Sequence, residues 1–228
     1  VSVAVVLPWR DTGPERARAH DLVTAHWERI LPGARLVDID TTHEPFCLAA
    51  CRNAGVAWAE RHHVDVVVLA DADTLAEAEP VGAAVHAAAR SHVVQLPYTE
   101  YRSLRGDGTA QYLAGVPLPD CNAFVVPGAC SGVYITTPAT WWAHGGQDER
   151  FRGWGFEDAA WHTAHTTLLG ADPARHPGRV YSLTHPSAVK EGEQYTANAA
   201  LCHRYHRAAA DPDAMRALIA EAHTPEHA

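Results

Sequence analysis

Residues 67–73 read Val-Val-Leu-Ala-Asp-Ala-Asp, an apolar run that stops at two acids with one small residue between them. Such a run predicts a buried strand, and its end lies at the carboxyl edge of a sheet, where α/β folds bind ligands. The chain is expected to turn at the acids. Carboxylates this close repel each other, so a divalent cation or a proton must relieve Asp71 and Asp73. A strand end leading into a helix N-terminus would also favour acids, through the helix dipole. The tripeptide alone leaves both readings open.

The surrounding pattern sets the fold class. Ser2–Leu7 reads as a strand, Pro14–Ile30 as a helix, Arg35–Ile39 as a strand and Pro45–Arg61 as a helix. Val64–Ala70 is the central strand, Ala78–Arg90 an Ala-rich helix and His92–Leu96 a further strand. Strand–helix–strand units with short connections predict an α/β fold: a mostly parallel central sheet with helices on both faces. The alternation stops near Pro97. Residues 97–130 hold so many Gly and Pro that a long helix is excluded, and a substrate-covering loop region is expected there. Beyond it, Gly132–Thr137 reads as a strand, Pro138–Ala143 and Glu157–Leu169 as helices, and Arg179–Leu183 as a late strand. Helices near Ala199–Ala209 and Asp213–Ala222 follow.

A chain of 228 residues can bury one substantial core, so a single domain over 1–228 is expected. A formal charge of −9 argues against a nucleic-acid partner and against docking on anionic lipid. No stretch approaches the ~20 apolar residues of a membrane span. The apolar opening is short, lacks a basic leader and runs into Pro8, so it reads as the first strand, not a signal peptide. Five scattered cysteines do not suggest a disulfide framework. His43, Cys47 and Cys51 have a spacing that could suggest zinc, but no second ligand pair accompanies them, so buried thiols are the better reading. A cytoplasmic location is the expectation.

Four further segments carry chemistry. The first strand ends in Pro8-Trp9-Arg10-Asp11, at the same sheet edge as Asp71. Arg52-Asn53-Ala54-Gly55 lies in the helix before the Asp-x-Asp strand, where a guanidinium could reach a ligand phosphate. Gly153-Trp154-Gly155-Phe156-Glu157-Asp158 lets the backbone fold tightly, exposes an indole for stacking on a sugar face and opens a helix with two acids. Thr184-His185-Pro186 follows the last strand, so His185 could return to the Asp71–Asp73 edge and join two carboxylates around Mn²⁺ or a similar ion.

In this order the segments resemble the metal-dependent glycosyltransferases of the GT-A fold. The stretch from Ser131 through Gly145-Gly146 and Asp148–Phe151 to Asp158 looks most like the β-1,4-galactosyltransferases, and is similar to the catalytic domains of polypeptide N-acetylgalactosaminyltransferases. The resemblance covers about residues 2–205. It implies a nucleotide-binding half at 1–96 and an acceptor-side half at 97–228. It makes Pro8, Trp9 and Arg10 nucleotide contacts and gives Arg52 a donor-side role. Asp73 would be a direct ligand of Mn²⁺ (or Mg²⁺), Asp71 would sit near ribose and metal, and His185 would be the distal ligand. Trp154 would face the sugar, with Glu157 and Asp158 near the acceptor hydroxyl and Asp158 as the base of an inverting reaction. The implied partners are a nucleotide-sugar donor, UDP-linked by expectation, and a sugar or protein hydroxyl as acceptor. A retaining outcome, a sugar nucleotidyltransferase and an inactive binding module are the alternatives. The galactosyltransferase-like motif usually has Gly where this chain has Phe156.

Overall fold

In a computed structural model of the chain, residues 1–184 and 190–222 are described. The core is a six-stranded sheet. β1 (Val3–Pro8) lies between β2 (Arg35–Ile39) and β3 (Val66–Ala70), parallel to both. β3 continues to β8 (Val133–Thr136), then to β5 (Gln95–Leu96) and β9 (Ala174–Arg175). The β3–β8 and β5–β8 pairs are antiparallel, so the sheet is mostly parallel with one reversed strand. Every residue of β3 is buried, as a continuous Val/Leu/Ala run in a covered sheet requires.

Helix α1 (Pro14–Ile30) connects β1 to β2, and α2 (Leu48–Arg61) connects β2 to β3. A glycine lets α2 approach closely: a Cβ at Gly55 would lie 2.3 Å from Val6 Cγ1. Helix α3 (Ala78–Ala88) precedes β5, while α5 (Pro138–Ala143) follows β8. Helices α6 (Glu157–Leu169), α7 (Glu193–Ala208) and α8 (Pro212–Glu221) share a second apolar cluster built on Phe151, Ala164, Cys202, Tyr205, Met215 and Leu218.

The register positions the functional edge. Val6 pairs with Leu69, and Pro8 with Ile39, so Pro8, Ile39 and Asp71 stand level at the carboxyl ends of three parallel strands.

Three expectations are corrected. Residues 97–130 carry regular structure: β6 (Glu100–Leu104), α4 (Gly108–Leu113) and β7 (Phe124–Val125). β6 pairs with β7 and with β10 (Arg179–Leu183), which also takes up β4 (Thr74–Ala76), giving a second, four-stranded sheet. Helix α2 begins at Leu48 and not at Pro45, where the Cys47 thiol accepts the Ala50 N–H at 3.4 Å and caps it. Helix α7 begins two turns before Ala199, directly after Gly192.

Candidate active site

The Asp-x-Asp segment is a turn between β3 and β4. The Asp71 N–H donates to the Gly132 carbonyl at 2.9 Å, and the Thr74 N–H closes the turn on the Asp71 carbonyl at 3.0 Å. Gly132 has φ +88°, and a Cβ there would meet the Tyr101 ring at 2.8 Å. The Leu183 N–H donates to the Asp73 carbonyl at 2.8 Å, so the end of β10 is fastened to the turn. His185 follows two residues later and lies outside the described residues.

Arg52 is the hub of the site. Its side chain is 0% exposed. Nη2 donates to Asp71 Oδ1 at 2.6 Å, and Nη1 donates to Asp158 Oδ1 at 3.1 Å and to Gln147 Oε1 at 3.0 Å. The guanidinium lies 4.8 Å over the Tyr134 ring, and the Tyr134 hydroxyl donates to Asp158 Oδ1. Arg52 was expected to reach a ligand phosphate; here it faces carboxylates and is closed off from solvent. Neighbouring Asn53 donates to the Gln147 carbonyl at 2.7 Å and to Glu149 Oε1 at 2.9 Å, and its Oδ1 accepts from Trp141 Nε1 at 3.0 Å. The Arg-Asn pair of α2 thus ties the Asp-x-Asp turn to the loop that leads into α6.

Burial dominates the electrostatics. It pushes the Asp71 carboxyl up to about 6 against the opposing pull of Arg52, with Asp73 and Asp158 adding like-charge repulsion. Glu157 rises to about 7, through burial and then the charge of Asp158. Burial alone would lower Arg52, but the charges around it, Asp71 foremost, hold it above its ordinary value. Tyr134 is raised by burial and by Asp158, so its hydroxyl stays protonated and acts as a donor.

The Gly-Trp-Gly loop leads into α6. Trp154 is 44% exposed, its ring lies parallel to Tyr195 at 6.1 Å, and the chain's single lysine, Lys190, places Nζ 4.2 Å over it. Phe156 caps α6 with φ 75°, a left-handed conformation that costs a side-chain-bearing residue about 1–2 kcal/mol. Its ring contact with Tyr195, 5.0 Å between centroids, offsets part of that. Asn198 of α7, which the sequence reading missed, fastens the loop by donating to the Arg152 carbonyl at 2.8 Å and the Gly155 carbonyl at 3.3 Å.

At the far end of the same edge, Pro8 is buried and Trp9 stacks on His20 at 4.4 Å. Arg10 binds Asp40 through Nε and Nη2, both at 2.8 Å, reaches Glu44 at 2.6 Å and donates to the His43 carbonyl at 3.1 Å. That pairing holds Asp40 down at about 2.

Asp71 feels the charges of Asp73 and Asp158, and Glu157 those of Asp158 and Asp71, with Arg52 as the cation paired to Asp71 and Asp158. This excess of hard oxygen donors suits a divalent cation such as Mn²⁺ or Mg²⁺. Among the described residues no group of three or more His, Cys, Asp and Glu side chains is arranged to hold an ion, so Asp71 and Asp73 would need ligands from elsewhere.

No protein-family model matches the chain, and no curated protein sequence is similar to it. Solved structures do match. The chain superposes on GalNAc-T7, solved with UDP, GalNAc and Mn²⁺, with a TM-score of 0.56 and 9% identity, over 88% of this chain and 47% of that one. Its fold is that of the GT-A glycosyltransferases. This chain spans about half the length of GalNAc-T7. A Drosophila β-1,4-galactosyltransferase 7 mutant, solved with manganese, UDP-Gal and xylobiose, matches with a TM-score of 0.48 and 15% identity, over 86% of this chain and 73% of that one. Among the described residues no helix is long and apolar enough to cross a membrane.

Proposed function

We propose that the chain is a glycosyltransferase that moves a sugar from a nucleotide-diphosphate donor, UDP-linked, to an acceptor hydroxyl. The observation that carries this reading is the bridge made by the buried Arg52 guanidinium, which joins the Asp-x-Asp turn to the Glu157–Asp158 start of α6. The fold shared with GalNAc-T7 supports it.

In this reading Asp71 and Asp73 hold a divalent metal, with His185 as a third ligand. Attachment of the β10 end to the Asp73 carbonyl supports placing His185 in that set. The ion, when bound, would neutralise the leaving diphosphate. Pro8 and Trp9 line the nucleotide end, and Arg10 shapes that wall through Asp40 and Glu44. Trp154, partly exposed beside Lys190 and Tyr195, is the aromatic group assigned to the sugar. Asp158 takes the acceptor proton as sugar transfers with inversion, while Glu157, held near neutrality by burial, bonds a substrate hydroxyl.

A hydrolysis screen of nucleotide sugars, with and without Mn²⁺, tests the proposal. Turnover that needs the ion is the expected result. No turnover, no metal dependence and no thermal shift with any nucleotide would overturn it. NMR of the product anomer tests the base: a retained configuration removes that role from Asp158.

A further inference from the structure

We propose that Tyr134 and Arg52 are positioning residues that lock the Asp158 carboxylate so that its Oδ2, not its Oδ1, faces the reacting hydroxyl. This rests on the reading of Asp158 as the base. Asp158 Oδ1 accepts two hydrogen bonds, from Arg52 Nη1 at 3.1 Å and from the Tyr134 hydroxyl. A carboxylate oxygen has two in-plane lone pairs, so Oδ1 is saturated. Among the described residues no donor bonds Oδ2, and the Asp158 side chain is 27% exposed where both its clamps are buried. The accessible oxygen is therefore Oδ2.

Neither clamp can drift. Tyr134 lies edge-on to Trp161 at 4.6 Å, and Arg52 stacks on its ring. Arg52 comes from α2, whose Gly55 packs on Val6 of β1, and Tyr134 from β8, which pairs with β3. Arg52 also spans to Asp71, so one rigid group fixes the spacing between the diphosphate side and the base side. A base that must meet one hydroxyl in line with a departing group gains from a single orientation, because geometry held in advance lowers the activation barrier. Tyr134 fits this role as a neutral donor, since burial keeps its proton in place. Its contact with Asp158 orients the carboxylate without removing its charge.

Tyr134→Phe removes one hydroxyl and keeps the ring packing. With UDP-galactose or UDP-N-acetylgalactosamine as donor, Mn²⁺ present and water as acceptor, kcat should fall about tenfold. The donor KM and the calorimetric affinity for UDP with Mn²⁺ should stay within twofold. Arg52→Lys, which retains the charge but cannot bridge both acids, should show a larger fall in kcat and, because Arg52 also pairs with Asp71, a change in donor KM and UDP affinity that Tyr134→Phe lacks. In a crystal structure of Tyr134→Phe, the Asp158 carboxylate should rotate about its Cβ–Cγ bond. An unchanged kcat in Tyr134→Phe beside a hundredfold loss in Asp158→Asn would overturn the positioning role and leave the base intact. Full turnover in Asp158→Asn would remove the base reading itself. An unrotated carboxylate in the variant crystal would overturn the lock, whatever the turnover.

Discussion

Arg10 and Arg52 each hold two carboxylates at the carboxyl edge of the same sheet, yet they sit in different media. Arg10 is 20% exposed, and its partner Glu44 is 82% exposed. Water and salt screen that cluster, so it ties the 40–46 loop to β1 at little electrostatic cost. Arg52 lies in the interior, where attraction and the penalty for an unpaired charge are both larger. One arginine shapes a wall. The other sets the charge balance on which a diphosphate and a metal would act.

Arg52→Met should separate the two most sharply. It leaves Asp71 and Asp158 without their cation, and loss of about 3–5 kcal/mol in urea unfolding is expected. A loss no greater than that of Arg10→Met would erase the distinction between the clusters.

A smaller effect, and one with a defined sign, comes from Glu157. Its carboxyl ordinarily titrates at 4.5, and burial raises it to about 7 in the folded state. The folded chain therefore keeps a proton that the unfolded chain has released, and stability falls as pH rises from about 4.5 to about 7. Glu157→Gln should flatten that part of the pH–stability curve and raise the melting temperature at pH 8. The buried histidines work in the other direction. Burial lowers His144 to about 3 and His26 to about 4, so they remove stability as pH drops below about 6.5. His144→Gln should raise melting temperature at pH 5 relative to pH 8; an equal shift at both would show that His144 titrates freely. The smallest effect is expected for Arg10→Met, a slight melting shift that disappears in high salt.

The contrast also explains what the sequence made legible. Helices α1, α5 and α6 and strands β2 and β10 lie where periodicity and breakers put them, because each carries its own signal: Pro at the start of α1 and α5, two acids opening α6, a short apolar run in β2 and β10. β6 was read as loop because Glu-Tyr-Arg-Ser-Leu has no clean alternation; pairing with β10 makes it a strand. The first turns of α7 are polar and were given no element, yet they bring Asn198 under the Gly-Trp-Gly turn. Asp71, Asp73, Glu157 and Asp158 were visible as acids at element ends. The partners of Arg52 were not, since Asp71 and Asp158 lie 19 and 106 residues away and no local spacing encodes them. Tyr134 was visible within the strand of the Ser131–Asp158 resemblance, but nothing in the sequence gave it a role.

Calorimetric titration of UDP into the protein, with and without Mn²⁺, tests the central claim most directly. If Asp71 and Asp73 hold a metal for a nucleotide diphosphate, Mn²⁺ should tighten UDP binding by at least about tenfold, and Asp73→Ala should abolish the gain in a protein that still melts cooperatively. Equal UDP affinity with and without the ion, or an Mn²⁺ gain that survives Asp73→Ala, would contradict the account.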